Sequence, residues 1–534
     1  MRIKKVKIRN FKCYKDFEIE LNPCLNILVG NNEAGKSTIL EALHLALSGI
    51  FQGKYLRNDL NQYIFNKEIE NRYIESIKAG SPEIPPEIII EIYFDGVFET
   101  DILKGTNNSE RLDCLGVCFK IEFDDDYTEE YNQIIAAKTI TTIPIEYYKI
   151  TITSFARELV TTRTIPIKSV LIDSSSSRFQ NSSDIYIAKI VKDELDEDEK
   201  VKLTQAYRNL KESFRSDPAI AAINSKITTK SKISDKKVEI SVDLSARNSW
   251  ETILMTYLDE IPFHYIGKGE QCIIKTNLAL EHKKAKEANI ILLEEPENHL
   301  SHSKLNQFVA SIEKDHCSKQ ILISTHSSFV ANKLGLENLL LLNDGKVAKL
   351  SELDSGTKKF FSKLPGYQTL RLILCKKAIL VEGDSDELIV QKAYMDKHSG
   401  RLPIQDGIDV ISVKLTFKRF LEIGAKIDKQ VAVVTDNDGD YDTKIINKYK
   451  CYTNVPSIKI FADTRNTFNT LEPQFLDANS TGIEKICKLL GRDESKLLEW
   501  MLNNKAEWAL RVFESEEKYA FPDYINRVID WCDE

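Results

Sequence analysis

The sequence is short of several things that would fix its class at once. No uncharged apolar stretch reaches the roughly 20 residues needed to span a bilayer. The opening residues alternate basic with apolar ones and hold no cleavable apolar core, so a cytoplasmic chain without a membrane segment is expected. The ten cysteines are scattered, and only Cys114 and Cys118 lie close together. With no second pair and no histidine pair nearby, reduced thiols are expected and structural zinc is not. Excess positive charge is missing too: a net charge of −8 argues against whole-surface nucleic-acid binding but leaves room for a local basic track. Internal repeats are absent. What remains, 534 residues with 42% apolar content, suits two globular domains plus an insertion.

The first positive signal is Gly30-Asn31-Asn32-Glu33-Ala34-Gly35-Lys36-Ser37, a phosphate-binding loop between a buried strand, Leu25 to Val29, and a helix, Thr38 to Leu47. Backbone N–H groups at such a helix start cradle phosphate oxygens, with Lys36 reaching the terminal phosphates of ATP and the Ser37 hydroxyl on Mg²⁺. Asn31, Asn32, Gly35 and Thr38 complete the expected nucleotide contacts. Far downstream, four apolar residues, Ile290 to Leu293, run into Glu294-Glu295-Pro296-Glu297. That pattern predicts a buried parallel strand delivering carboxylates at its C-terminal end. Glu294 is assigned to the Mg²⁺ shell and Glu295 to the base that orients attacking water.

Ile323-Ser324-Thr325-His326-Ser327 follows the next apolar strand, and Gly267-Lys268-Gly269-Glu270-Gln271 precedes the acidic one. With the opening residues Ile3, Val6, Ile8, Asn10-Phe11-Lys12 and Tyr14, these segments resemble the ABC-type ATPases of the SMC family. The resemblance implies that His326 senses the γ-phosphate. It also implies that the Gly267 segment completes the site of an opposite subunit. The family's usual serine is missing there, so Lys268 either supplies a cation to that phosphate or lies, with Gly269, in a plain Gly-rich turn at a helix start. Gln62 is the candidate for coupling metal to the lobe interface.

Between the ATPase halves the chain changes character, with a serine run from Ser174 to Ser177 and an acidic stretch from Asp193 to Glu199. Leu203, Ala206, Leu210 and Phe214 then recur at helical spacing, which predicts a helix over Val201 to Phe214. A short helical dimerisation element is expected here, against the alternative of a decorative insertion. The domain expectation is ATPase residues 1–165, an insertion at 166–245, ATPase residues 246–350, a linker at 351–370 and a second domain at 371–534.

In that second domain Ala378-Ile379-Leu380-Val381 ends in Glu382, and Val431-Ala432-Val433-Val434-Thr435 ends in Asp436. Both acids then sit at strand C-termini, the ligand-binding edge of a parallel sheet, and Asp436 and Asp438, two apart, can point the same way. Hard oxygen ligands suit Mg²⁺ or Mn²⁺. Lys414, Lys418, Arg419, Lys426, Lys429, Lys444, Lys448 and Lys450 crowd around the second acidic cluster as a candidate basic track, or as a solvated helical face.

This arrangement resembles the Toprim domain of topoisomerases, primases and certain nucleases, in which a glutamate and an Asp-x-Asp pair hold divalent metal. Glu382 and Asp386 form Glu-x-x-x-Asp. Thr470-Leu471-Glu472-Pro473 and Asn504-Lys505-Ala506-Glu507-Trp508-Ala509-Leu510 follow. The whole series is similar to the OLD (overcoming lysogenization defect) nuclease family, an SMC-like ATPase joined to a C-terminal Toprim nuclease. The fold class implied is α/β throughout, an ABC-type P-loop domain with a helical insertion followed by a Toprim α/β domain.

The resemblance implies two-metal phosphodiester hydrolysis. Glu382 would bridge both ions, Asp386 and Glu472 would complete one coordination sphere, and Asp436 and Asp438 the other. Lys505 would offset charge growing on the scissile phosphate. Exposed helix residue (Lys505) and helix N-terminal acid (Glu472) are the bland alternatives. Implied partners are DNA, the chain itself as dimer or tetramer, and, within phage defence, a retron reverse transcriptase with its small DNA–RNA product or a UvrD-like helicase. A DNA-clamping ATPase with an inactive Toprim scaffold is the competing reading. A topoisomerase or primase is a weaker one, because the residues after Lys505 leave little space for a tyrosine or zinc module.

Overall fold

The computed structural model describes residues 1–534 except 32, 53, 97–100, 139, 163, 174–194, 231–238, 242–256, 268, 272–273, 275–287, 299–306, 308–318, 327–335, 344, 351–352 and 364–366. Asn32, Lys268 and the serine run at 174–177 thus lie outside the described residues. The chain divides into two compact units, Met1–Leu28 with Gly35–Thr325, and Val29–Ala34 with His326–Glu534. No described helix is long and apolar enough to cross a membrane.

The first unit opens with a hairpin of β1 (Arg2–Phe11) and β2 (Tyr14–Glu20), in which Phe11 pairs with Tyr14 across a turn that takes Lys12 to φ 49°. Ile3, Val6 and Ile8 are buried along β1. The next strand, β3 (Leu25–Gly30), is buried along its whole length and leads into the phosphate-binding loop. Helix α1 (Lys36–Ser48) starts from Gly35 and stops at Gly49, whose left-handed backbone lets its N–H reach the Leu45 carbonyl. Strands β4 (Ile88–Asp95), β5 (Cys114–Phe123) and β6 (Tyr148–Ser154) extend the hairpin into an antiparallel sheet, order β2-β1-β4-β5-β6. Cys114 and Cys118 both lie on β5 and are free thiols.

A second sheet carries the chemistry. Strands β7 (Ser169–Asp173), β8 (Ile290–Glu294) and β9 (Gln320–Thr325) are parallel, with β3 next to β9 in the strand order. Their interiors are runs of Ile and Leu, as expected for strands covered on both faces. The register sets Glu294 opposite Asp173 on one side and Ser324 on the other. His44 of α1 lies 3.0 Å from the Ser169 hydroxyl, tying the helix to β7. The helix expected over Val201 to Phe214 is present as α2 (Glu197–Arg215), closed at its start by a capping box of Asp196 and Glu199 and followed by α3 (Pro218–Lys230). Leu203, Leu210 and Phe214 remain exposed on it.

The second unit contains the hairpin β10 (Leu339–Asn343) and β11 (Lys346–Lys349), then α4 (Tyr367–Leu374). Its core is a fully parallel sheet, order β13-β12-β14-β15, of β12 (Lys377–Val381), β13 (Ile408–Ser412), β14 (Gln430–Val434) and β15 (Ile458–Phe461). Helices α5 (Asp384–Lys397) and α6 (Phe417–Lys426) supply the crossovers. Helices α7 (Leu471–Ala478), α8 (Ile483–Leu490), α9 (Glu494–Asn503), α10 (Lys505–Glu514) and α11 (Asp523–Asp533) follow the sheet. Trp508 and Phe475 pack with Ile389, Val390 and Ile525 in one buried cluster that anchors α7 and α10 beside the strand ends. Arg371 of α4 locks the other edge, donating to both Asp409 oxygens at 3.0 and 2.7 Å and to the Val410 carbonyl at 2.8 Å.

Candidate functional site

The nucleotide-binding elements form as the loop pattern predicts. Gly35 has φ 86°, and a Cβ there would meet the Tyr14 hydroxyl at 2.3 Å, so both backbone and space demand glycine. In the second unit a Cβ on Gly30 would meet the Leu342 carbonyl oxygen at 2.6 Å. Lys36 and Thr38 are buried, Ser37 is half-buried and Asn31 exposed. Burial holds the Lys36 ammonium below the usual lysine range, while Glu295, Glu297 and Glu294, in that order, pull it back up. That electrostatic grouping joins the lysine of the glycine-rich loop to the end of β8, far away in sequence.

Glu295 turns out of the strand at φ 42° and donates its N–H to the Ser324 carbonyl at 3.0 Å; its carboxylate accepts from Asn298 at 2.9 Å. The third acid, Glu297, accepts from the Thr325 hydroxyl at the tip of β9. Sequence reasoning assigned roles to Glu294 and Glu295 only; the signal for Glu297 was its place in Glu-Glu-Pro-Glu. His326 follows β9 directly and is exposed. Gly269 lies in the first turn of a helical segment, where the Gly267 carbonyl accepts from the Glu270 and Gln271 N–H groups. Gln62 is half-buried in a short 3-10 turn, and its side chain makes no hydrogen bond among the described residues.

At the C-terminal edge of the second unit's sheet, Glu382 follows β12, Asp436 lies two residues beyond the end of β14, Glu472 sits in the first turn of α7, and Lys505 begins α10. The structure brings these together. Lys505 Nζ is 3.8 Å from Glu472 Oε1, with Glu472 almost wholly buried. Asp436 Oδ1 and Glu472 Oε2 are buried atoms without a hydrogen-bond partner. Burial, and then Asp386, Glu382 and Glu472, push Asp436 up to about 9, with Lys505 opposing. Burial likewise pushes Asp386 up to about 7, although the Gly383 N–H, 3.0 Å from its Oδ2, favours the charged form. Asp386 therefore also caps the start of α5. Glu382 is raised too, by burial and then by Asp438, while Lys448, Lys505 and Lys444 oppose.

Asp438 acts on Glu382 but is far less buried than Asp386 and Glu472. Strand alternation would face it the same way as Asp436, but Asp438 takes φ 50° and Gly439 φ 80°, so the period of two ends with the strand. Its carboxylate is half-exposed and pairs with Lys444 at 3.3 Å. Between the two aspartates, Asn437 is fully buried. Its Nδ2 donates to the Asp463 and Arg465 carbonyls at 2.8 and 3.0 Å, and its Oδ1 accepts from Gly439 N at 2.9 Å. Asn437 is the residue that pins the acidic loop, and sequence reasoning gave it no role.

The basic track is less uniform than its sequence suggests. Lys429 is buried and donates to the Cys375 carbonyl at 2.6 Å, and Arg419 bonds Thr357 at 2.7 Å, so both serve the fold. Lys444 and Lys448 are the members that act on Glu382. As it stands, no group of three histidine, cysteine, aspartate or glutamate side chains among the described residues is drawn together tightly enough to hold a metal ion. The donor chemistry nevertheless fits a hard divalent cation: the ligand atoms are carboxylate oxygens, two of them buried without partners, in a cluster whose mutual repulsion a cation relieves.

Comparison with known proteins bears on both regions. Residues 1–94 and 50–331 match the AAA ATPase domain model, and residues 373–438 match the TOPRIM domain of overcoming lysogenization defect protein-like sequences. Structural maintenance of chromosomes protein 6 of Saccharomyces cerevisiae is 56% identical over 105 residues, 19% of this chain and 8% of that protein. The DNA replication and repair protein RecF of Desulforamulus reducens is 43% identical over 94 residues, 16% of this chain and 25% of the relative. The DNA double-strand break repair Rad50 ATPase of Archaeoglobus fulgidus is 40% identical over 58 residues, 11% of this chain and 6% of that one. The matches thus span a quarter or less of these relatives. Among solved structures, the SMC head domain from Thermotoga maritima aligns over 65% of this chain and 97% of its own, at 13% identity and a TM-score of 0.30.

Proposed function

This chain belongs to the OLD family, in which an SMC-type ATPase is joined to a C-terminal Toprim domain, and from that membership we propose that it is an ATP-hydrolysing, metal-dependent DNA endonuclease of an antiphage defence system. The observation that carries the nuclease reading is the cluster of Glu382, Asp386, Asp436 and Glu472, with buried carboxylate oxygens on Asp436 and Glu472 that no protein donor satisfies. Burying such groups without a partner is costly, and a fold retains them where a ligand completes them.

Glu382, Asp386, Asp436, Asp438 and Glu472 would hold one or two divalent ions. When bound, Mg²⁺ or Mn²⁺ supplies an activated water and stabilises the leaving oxygen of a phosphodiester. The chain's own contribution is positional and electrostatic. Asn437 fixes the loop that carries Asp436 and Asp438. Lys505, held near Glu472, is poised to offset negative charge on the scissile phosphate. At the nucleotide site, Lys36 binds the terminal phosphates of ATP, Ser37 and Glu294 take its Mg²⁺, and Glu295 orients water. His326 senses the γ-phosphate, and self-association through the Gly267 segment completes the site in trans.

ATP turnover in this reading controls access to DNA, in concert with a partner such as a retron reverse transcriptase and its small DNA–RNA product, or a UvrD-like helicase. The test is nicking of supercoiled plasmid with Mg²⁺ or Mn²⁺ against a chelator control. Metal-dependent nicking is expected, by the chain alone or with its encoded neighbour. Its absence under both conditions favours the competing reading, a DNA-clamping ATPase with an inactive Toprim scaffold.

A further inference from the structure

The stretch Asp442–Asn447 winds as a π-helix. That geometry is rare and concentrates at functional sites, because the wider turn re-aims side chains that an α-helix would direct elsewhere. Here it follows the acidic loop immediately and presents two lysines four residues apart. Lys444 pairs with Asp438 at 3.3 Å. Lys448, at the end of the π-helix, is half-buried, and its ammonium lies 5.6 Å from the ring of the buried Phe417 and 5.1 Å from that of Tyr449. Its ammonium makes no hydrogen bond or ion pair among the described residues.

The Lys448 side chain is half-buried, but its ammonium is not among the buried atoms that lack a partner, so water and an incoming anion can reach it. The rings of Phe417 and Tyr449 attract that ammonium through their faces and hold it in place. Glu382 and then Asp438 are the acids that act on it, while Lys444 and Lys418 repel it. Lysines from two elements act on Glu382: Lys505, which begins α10, and the pair of Lys444 in the π-helix and Lys448 just past its end. Each element has one lysine close to a carboxylate of the cluster.

We propose that Lys448, with Lys444 beside it, is a DNA-phosphate-binding residue of the nuclease centre, neutralising Glu382 and Asp438 in the metal-free protein and turning to the DNA backbone once metal occupies those carboxylates. This rests on the nuclease reading above. It assigns the π-helix to substrate binding and singles out these two lysines from the rest of the basic track.

The role makes two predictions of opposite sign. In Lys448→Met, metal affinity measured by calorimetry without DNA rises, on the order of 3- to 10-fold, because a competing positive charge is gone. Affinity for a duplex in non-cleaving Ca²⁺ falls by about 10-fold, and the slope of log K against log salt flattens by about 0.9, one phosphate contact. Lys448→Arg keeps the wild-type slope. Lys448→Gln is the second neutral variant should the methionine disturb folding, and it moves both quantities in the same directions. A lysine that only supports the fold would leave the salt slope unchanged and would not tighten metal binding, and that result overturns the inference. If the wild type nicks plasmid while these variants behave like it, only the inference fails. If Asp436→Ala nicks as well as wild type, the nuclease reading itself fails.

Discussion

Metal binding by the Glu382 cluster should release protons, and its pH dependence follows from the cluster's own electrostatics. In the metal-free protein Asp436 is pushed up to about 9 and Asp386 to about 7, chiefly by burial and by the surrounding carboxylates. A metal ligand must be deprotonated, so at pH 7.5 an incoming ion displaces the Asp436 proton, at a cost of about 2 kcal/mol for roughly 1.5 pH units. Between pH 7 and 9 the affinity for Mn²⁺ should therefore rise about 10-fold per pH unit, more steeply below 7, where Asp386 also holds a proton.

Stability of the metal-free protein runs the other way. Both acids bind protons more tightly folded than unfolded, so their contribution is fully present below about pH 4 and is lost as pH rises through 7 and then 9. The assay is isothermal titration in buffers of differing ionisation enthalpy, which counts protons released per ion. About one proton at pH 8 is expected, falling well below one in Asp436→Asn. A flat affinity from pH 7 to 9 with no proton release would refute the claim that these buried carboxylates form the metal site.

Further expectations concern the supporting residues. Asn437→Ala removes donors to the Asp463 and Arg465 carbonyls; thermal melts should report a loss of about 1–3 kcal/mol, together with weakened metal binding. Gly35→Ala combines a φ of 86° with a clash against the Tyr14 ring, and nucleotide binding should be lost in a filter or fluorescence assay even when Tyr14 is also shortened to alanine. Glu295→Gln should slow hydrolysis and trap ATP, and light scattering should then report a larger assembly; a strictly monomeric ATPase unaffected by Lys268→Ala would exclude a site completed in trans. Cleavage by wild type and Lys36→Ala, compared with ATP, ADP and no nucleotide, should differ if nucleotide gates the nuclease, and equal rates in every condition would exclude gating.

What was legible in the sequence was whatever rests on a short periodic run. The apolar stretches ending at Glu294, Glu382 and Asp436 became parallel strands, and the loop before Lys36 became a strand–loop–helix turn, because burial on both faces and a helix N-terminus leave local signatures. The helix over Val201 to Phe214 was legible for the same reason, as α2. Legibility ended where backbone conformation departs from the element. Asp438 leaves strand alternation at φ 50°, and Lys444 lies in a π-helix with Lys448 just past its end, a winding that no side-chain period announces. Proximity in sequence misled in the basic track, since Lys429 and Arg419 are spent on Cys375 and Thr357. Asn437 carried no signal beyond being a polar residue between two acids, and its role comes from carbonyls contributed by residues 463 and 465.

If the proposed nuclease centre exists, it is chemically independent of the ATP site. This is tested most directly by measuring, on the same preparation of Asp436→Ala, metal-dependent plasmid nicking and ATP binding. Nicking should be abolished while ATP binds with wild-type affinity. Nicking at the wild-type rate would contradict this and remove the Glu382 cluster from the chemistry.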